Sequence, residues 1–306
     1  MIRQMQAEDR REVAELICVS TNYWYEAHGR GPIFSNGPES ATVFFDVYRA
    51  LDGEEHGIVR VDDDHGWIMG SCFIHPRPTH VSLGILNVHP NWFGRGVARE
   101  LMEYVIDFGD RQGKPLRLVS SALNLDSYSL YNRLGFTPRK LYQDMILRIP
   151  ESGLDVSVKE SRFVRDATPE DVNAITDFEM EMVGIRRDVD FRYFLENELG
   201  IWGGSVYINE TGALDGFMFS VCHPGSNMIG PGLARTPEQA AALVLAEAKR
   251  YPGRSPVFLV PVECGELART MYSWGANNCE MHVHQVLGEA EPIRGVFMPT
   301  FMPESA

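Results

Sequence analysis

The stretch Leu86-Asn87-Val88-His89-Pro90-Asn91-Trp92-Phe93-Gly94-Arg95-Gly96-Val97-Ala98 decides how this chain reads. Val81 to Val88 has the apolar, β-branched character of a strand. Val97, Leu101, Val105 and Phe108 then recur every three or four residues, as one face of a helix does. Between strand and helix stand two glycines, two residues apart. Such a pair lets the backbone come close to a ligand, because no Cβ intervenes. A helix opening near Gly96 leaves its first N–H groups unpaired, with the positive end of the dipole behind them. That arrangement suits a phosphate or pyrophosphate, and Arg95 adds a cation. Taken alone, the pair is equally a tight strand-to-helix turn. No Gly-Lys-Ser/Thr follows, so this is not a P-loop, and the dinucleotide pattern G-x-G-x-x-G is absent.

Working outward, Gly57 to Val61 and Trp67 to His75 read as strands joined by the turn Asp62 to Gly66. Downstream, Leu116 to Ser120 is a strand, Ser127 to Leu134 a short helix ended by Gly135, and Leu141 to Ile149 a closing strand. Mixed strands with interleaved helices predict an α/β (α+β) sheet. The downstream segment Asn124-Leu125-Asp126-Ser127-Tyr128-Ser129-Leu130-Tyr131-Asn132-Arg133-Leu134-Gly135-Phe136 carries the second signal.

With both segments in view, residues 2–149 resemble the GNAT superfamily, whose members move an acyl group from coenzyme A to an amine. The family loop Gln/Arg-x-x-Gly-x-Gly/Ala falls on Phe93-Gly94-Arg95-Gly96-Val97-Ala98, preceded by the frequent Val-x-Pro as Val88-His89-Pro90. The later Asn…Leu-Tyr-x-x-x-Gly-Phe falls on Asn124, Leu130-Tyr131 and Gly135-Phe136. The resemblance implies that acetyl-CoA is held at Phe93, Gly94, Arg95, Gly96, Val97 and Ala98. It implies a pantetheine arm pairing with Gly84 to Val88, where the N–H groups near Leu86 and Val88 polarise the thioester carbonyl. It makes Tyr131 the proton donor to the departing sulfur, while Asn124 ties down either the neighbouring backbone or the pantetheine. Phe93 departs from the family pattern, which puts Gln or Arg there, and predicts weakened pyrophosphate binding.

The base that takes the amine proton is not legible. Between Asp64 and Glu100 there is no Asp or Glu. His75, His80, His89, Glu26, His28 and a water chain all stay open, His being able to titrate near neutral pH. Tyr23, Trp24 and Tyr25 form an aromatic cluster that reads either as an acceptor wall holding an amine or as core packing, the commoner case.

A self-similarity lies at a shift of 162 residues: Arg3-Gln4-Met5-Gln6-Ala7-Glu8-Asp9 against Arg165-Asp166-Ala167-Thr168-Pro169-Glu170-Asp171. It predicts two tandem GNAT-like domains, each a mixed, mostly antiparallel sheet flanked by helices. The expected organisation is an acyltransferase domain over 1–152, a degenerate copy over 160–290 and an extended tail over 291–306 docked on a groove. In the second copy Met228-Ile229-Gly230-Pro231 echoes the strand end. There Thr236 with Gln239 forms a capping box over the helix start. Met271 stands where Tyr131 would be, with Tyr272 adjacent.

The 306 residues carry net charge −14, of which residues 1–150 hold −3 and the rest −11. So acidic a second half argues against nucleic-acid partners, whose phosphates need clustered cations. The five cysteines form no C-x-x-C pair, which speaks against a disulfide framework and a cysteine zinc site, and no metal is expected. No apolar run approaches the length of a membrane helix, and the charged N-terminus lacks a signal peptide's apolar stretch. The expectation is a cytoplasmic N-acetyltransferase acting on a small-molecule or peptide amine, with oligomeric state open. The rivals are a noncatalytic acyl-CoA-binding or regulatory module and an interaction scaffold built on the acidic half.

Overall fold

The computed structural model describes residues 1–304. It divides into two compact units: Met1–Leu118 with His223–Gly225 and Phe301–Glu304, and Val119–Cys222 with Ser226–Thr300.

The first unit runs β1 (Ile2–Gln4), α1 (Arg10–Ala27), α2 (Thr42–Asp52), β2 (Gly57–Val61), β3 (Ile68–Pro76), β4 (Val81–Val88), α3 (Val97–Gln112) and the start of β5 (Leu116–Ser121). β1, β2, β3 and β4 pair antiparallel in that order. β5 joins β4 in parallel, but only through Val81↔Leu116 and Ser82↔Arg117. β4 continues to Val88, so its second half has no β5 rung. A register shift opposite Gly84 and Ile85 bends the same half, and bulges of this kind re-aim backbone groups. Val97, Leu101 and Val105 bury the apolar stripe of α3, and Gly113 in a left-handed conformation ends the helix. α2 was not assigned from the sequence, although Phe44, Val47, Tyr48 and Leu51 recur at helical spacing; Val43-Phe44-Phe45 and Val47-Tyr48 are all buried.

The second unit holds the end of β5, α4 (Leu125–Arg133), β6 (Thr137–Ile146), β7 (Val164–Asp166), α5 (Val172–Val183), α6 (Asp188–Glu196), β8 (Trp202–Ile208) and most of β9 (Leu214–His223). It continues through β10 (Ser226–Ala234), α7 (Pro237–Arg250), β11 (Val257–Pro261), α8 (Gly265–Ser273), β12 (Asn277–Leu287) and β13 (Val296–Met298). β6 starts four residues earlier than the apolar run suggested, because Pro138 sits at a register shift facing Gln285, where the missing N–H costs no rung. It ends at Ile146 rather than Ile149.

The compact units do not follow the boundary expected at residue 152. β6 closes the first repeat in sequence, yet it lies between β11 and β12, both from the second. The two repeats thus exchange their last long strands. Their sequence echo at a shift of 162 has a physical source. Arg3 grips Asp9 through both guanidinium nitrogens at 2.6 and 2.8 Å, and Asp9 accepts the Gln6 N–H. Arg165 grips Asp171 at 2.7 Å twice, and Asp171 accepts the Thr168 N–H. Each clamp fixes the turn that starts the helix after it, α1 in one repeat and α5 in the other.

Candidate active site

In the first unit the β4–α3 loop is built as its sequence requires. His89 Nδ1 accepts the Asn91 N–H at 3.2 Å, and a short 3₁₀ turn over Pro90–Trp92 carries the chain to the glycines. Gly94 (φ +72°) and Gly96 (φ +83°) both adopt left-handed conformations. A Cβ on either would meet no protein atom within 4 Å, so the demand for glycine is conformational. Gly96 occupies the N-cap of α3 and offers no side chain, so the first-turn N–H groups of Val97, Ala98 and Arg99 have no intrahelical acceptor. Arg95 is exposed, with its guanidinium 4.9 Å from the Trp92 ring centroid. Phe93 is 46% exposed and meets Tyr23 of α1 edge to face at 5.7 Å. Its side chain therefore turns to α1 and supplies no polar contact. Leu86 and Val88 lie on the half of β4 that carries no β5 rung.

Asn124 and Tyr131 belong to the second unit. Asn124 is the N-cap of α4, where its Oδ1 accepts the Ser127 N–H at 3.2 Å, so it ties down the backbone of its own helix. Tyr131 is the one buried residue of α4, its ring 6.0 Å from Phe136. Gly135 (φ +96°) follows the helix end and lets the Phe136 N–H return to the Tyr131 carbonyl at 3.0 Å.

The residues weighed as bases are disposed as follows. His75 is buried with both ring nitrogens engaged, Nδ1 with Asp52 at 2.5 Å and Nε2 with Glu304 at 3.1 Å. Burial opposes its charge, but the two carboxylates outweigh burial and raise its pKa to about 9. His80 is buried beside Thr79, and His89 serves its own loop. Glu26 and His28 are exposed at the end of α1, where His28 stacks on Trp24. The cluster Tyr23-Trp24-Tyr25 is half exposed at that helix end, so it is not the core packing that such clusters commonly form.

One group of polar residues escaped the sequence reading. On the β6–β12 ladder Asp144 faces Glu280, Tyr142 faces His282 and Lys140 faces His284, all on one side of the sheet. Ser121, the last residue of β5, donates its hydroxyl to Glu280 at 2.5 Å, and the Ala122 N–H donates to the Met281 carbonyl. Asp144 lies 2.9 Å from His282 Nδ1. Burial opposes a charge on His282, but Asp144 and Glu280 raise its pKa above the usual histidine value. Ser120 points to the other side and donates to Gln285 Oε1 at 3.2 Å. The alternation of Glu280, His282 and His284 announced a strand with one polar face. What it could not announce was the partner strand, some 160 residues earlier.

The profile of the Acetyltransferase (GNAT) family matches residues 21–136, spanning the glycine loop, Asn124 and Tyr131. Residues 21–136 are a GNAT domain. Solved structures extend the likeness in fold to the whole chain. An acetyltransferase candidate from Pyrococcus horikoshii is 16% identical, with 96% of this chain and 94% of that one covered at a TM-score of 0.71. A GCN5-related N-acetyltransferase from Sphaerobacter thermophilus is 18% identical, with 96% and 97% covered at 0.66. A tandem GNAT protein of the clavulanic acid biosynthesis pathway is 12% identical, with 95% and 99% covered at 0.60. No curated protein matches the chain.

The second repeat differs from the first at the corresponding helix start. Gln239 Oε1 accepts the N–H groups of Arg235 and Thr236, and Thr236 Oγ1 accepts that of Gln239. Side chains thus occupy donors that the first repeat leaves to its surroundings. Arg235 itself is held by Glu181 and Asp215. β10 and β11 share one parallel rung, Met228↔Val257. Beyond it, β13 pairs with β10 through Gly232↔Met298, Leu233↔Phe297 and Ala234↔Val296. The expected docked tail is therefore a strand, and it fills the edge of β10 that corresponds to the open half of β4. Met271 is buried in the core, and Tyr272 is exposed with its hydroxyl on Asn278 and Gln143. Tyr272 thus differs in burial from Tyr131.

Proposed function

We propose that this chain is an N-acetyltransferase, moving an acetyl group from acetyl-CoA to an amine by direct attack, with a single site in its first repeat. The observation that carries this reading is the helix start at Gly96. Two left-handed glycines present uncapped N–H groups there, at the family's pyrophosphate position, next to a strand half that lacks its β5 rung. Val97 and Ala98 would grip the diphosphate through their N–H groups, with Arg95 as a cation at the rim. The N–H groups of Leu86 and Val88 would stabilise charge on the thioester oxygen. Asn124 fixes the start of α4, and Tyr131 protonates the thiolate as it leaves.

The noncatalytic acyl-CoA-binding module remains the second reading, favoured by Phe93 turning to Tyr23 and by the missing carboxylate on β4. Acetyl-CoA titration by calorimetry, followed by thiol release against a panel of small and peptide amines, separates the two. Turnover that collapses in Tyr131→Phe supports the transferase. Tight binding with no turnover on any amine supports the module. All five cysteines are free, which suits a cytoplasmic, reducing setting.

A further inference from the structure

The glycine loop borders a cavity that acetyl transfer as described above leaves unused. Its volume is about 430 Å³, in the range of small-ligand pockets, and every residue lining it belongs to the first unit. One face of α1, the Trp67-Ile68 entry to β3 and the loop between His89 and Arg95 wall it. The structure assigns this cavity as a binding site for an organic cation, an ammonium carried on an apolar or aromatic body.

Charge is the first support. Glu12 and Glu15 stand one turn apart on α1, and both line the cavity. Glu12 is held in place, because its Oε1 accepts the Ile68 N–H at 3.0 Å. A carboxylate fixed in this way needs little reordering to receive an ammonium. Arg11 reaches Glu15 at 3.0 Å, but its side chain is almost fully exposed, and such a surface pair is worth little. Against the two carboxylates the lining sets one cation, Arg95. His89 adds no second one, since its Nδ1 accepts the Asn91 N–H and so carries no proton. The balance is negative. A phosphate here would face two carboxylates, which sets the cavity apart from the helix start proposed for the diphosphate.

The aromatic wall is the second. Trp67 is 60% exposed, Trp92 is half-buried, and Val19 of α1 is exposed beside them on the same lining. Apolar surface gathered around one cavity, rather than scattered singly, marks a place where a ligand covers it. Indole faces in addition attract cations. The third support is the chain's own use of that attraction: the Arg95 guanidinium already lies 4.9 Å from the Trp92 ring centroid. An ammonium in the cavity would donate to Glu12 and Glu15 in charge-assisted bonds, while its body packs on Trp67, Leu16 and Val19. No bond is made or broken, and the assignment stands whichever reading of the glycine loop holds.

The test takes the full chain without acetyl-CoA and three probes of one shape: phenethylamine, an ammonium at neutral pH, phenylethanol, which is uncharged, and phenylacetate, an anion. Calorimetry should rank phenethylamine first, about tenfold tighter than phenylethanol, with phenylacetate weakest. Added salt should weaken phenethylamine and leave phenylethanol unmoved. Two surface variants locate the site. Glu12→Gln keeps an oxygen for the Ile68 N–H while removing the charge, so it should weaken phenethylamine about tenfold and spare phenylethanol. Trp67→Ala should weaken both, by about threefold to fivefold. Equal affinity for the three probes, a preference for phenylacetate, no binding of phenethylamine at millimolar concentration, or binding untouched by both variants overturns the assignment. Each of these outcomes leaves the transferase reading where it was, because none depends on turnover. A chain that acetylates no amine would in turn leave the cavity's assignment untouched.

Discussion

At the scale of single residues, the glycine at 96 and the phenylalanine at 93 make opposite statements about one loop. Gly96 sits at φ +83°, a conformation that costs an L-residue about 1–2 kcal/mol. Gly96→Ala should lower stability by about that much and weaken acetyl-CoA binding at least tenfold by calorimetry, since any relaxation of φ re-aims the first N–H groups of α3. Phe93→Gln should tighten binding severalfold by returning a polar group to the rim. A millimolar dissociation constant left unimproved by that change would mean the loop no longer serves the cofactor. His75 makes a third statement, about pH. Its folded pKa of about 9 lies above its unfolded value, so its contribution to stability is complete below about pH 6.5 and disappears as pH rises through 9. Glu304 shifts in the same sense, because burial raises its pKa while His75 and Tyr48 only partly offset this. Melting temperature should fall by several degrees between pH 7 and 10, and His75→Gln should flatten the fall.

At the scale of elements, legibility followed the range of the contacts involved. β2 and β4 begin and end where alternation and turn residues put them, and α3 starts at the residue after Gly96, because each of these is fixed by neighbours within a few positions. The glycine loop and the Thr236 cap were readable for the same reason. α2 had a readable period in Phe44, Val47, Tyr48 and Leu51 and was passed over. β6 was misplaced at both ends because its limits are set by β11 and β12, more than a hundred residues away, and Pro138 looks like a terminator until its facing register shift is known. Glu280 was out of reach on the same ground: it meets Ser121 across 159 positions. The glycine loop is thus local and was visible, while the polar face of the β6–β12 ladder is assembled from distant strands.

At the scale of the whole molecule, the exchange of β6 and β12 forbids a simple division. A fragment of residues 1–152 would carry β6 with both edges unpaired, and exposed edges of that length invite aggregation. It should be insoluble or lack a cooperative melt, and co-expression with residues 153–306 should restore a folded complex by circular dichroism and sedimentation. Calorimetry of the intact chain should saturate at one acetyl-CoA per polypeptide. The reason to expect a single equivalent lies in β13. In the second copy β13 holds the rungs of β10 at Gly232, Leu233 and Ala234. An acyl-CoA arm would find no vacant rung along that stretch of β10, because the polypeptide already lines it with a segment of its own.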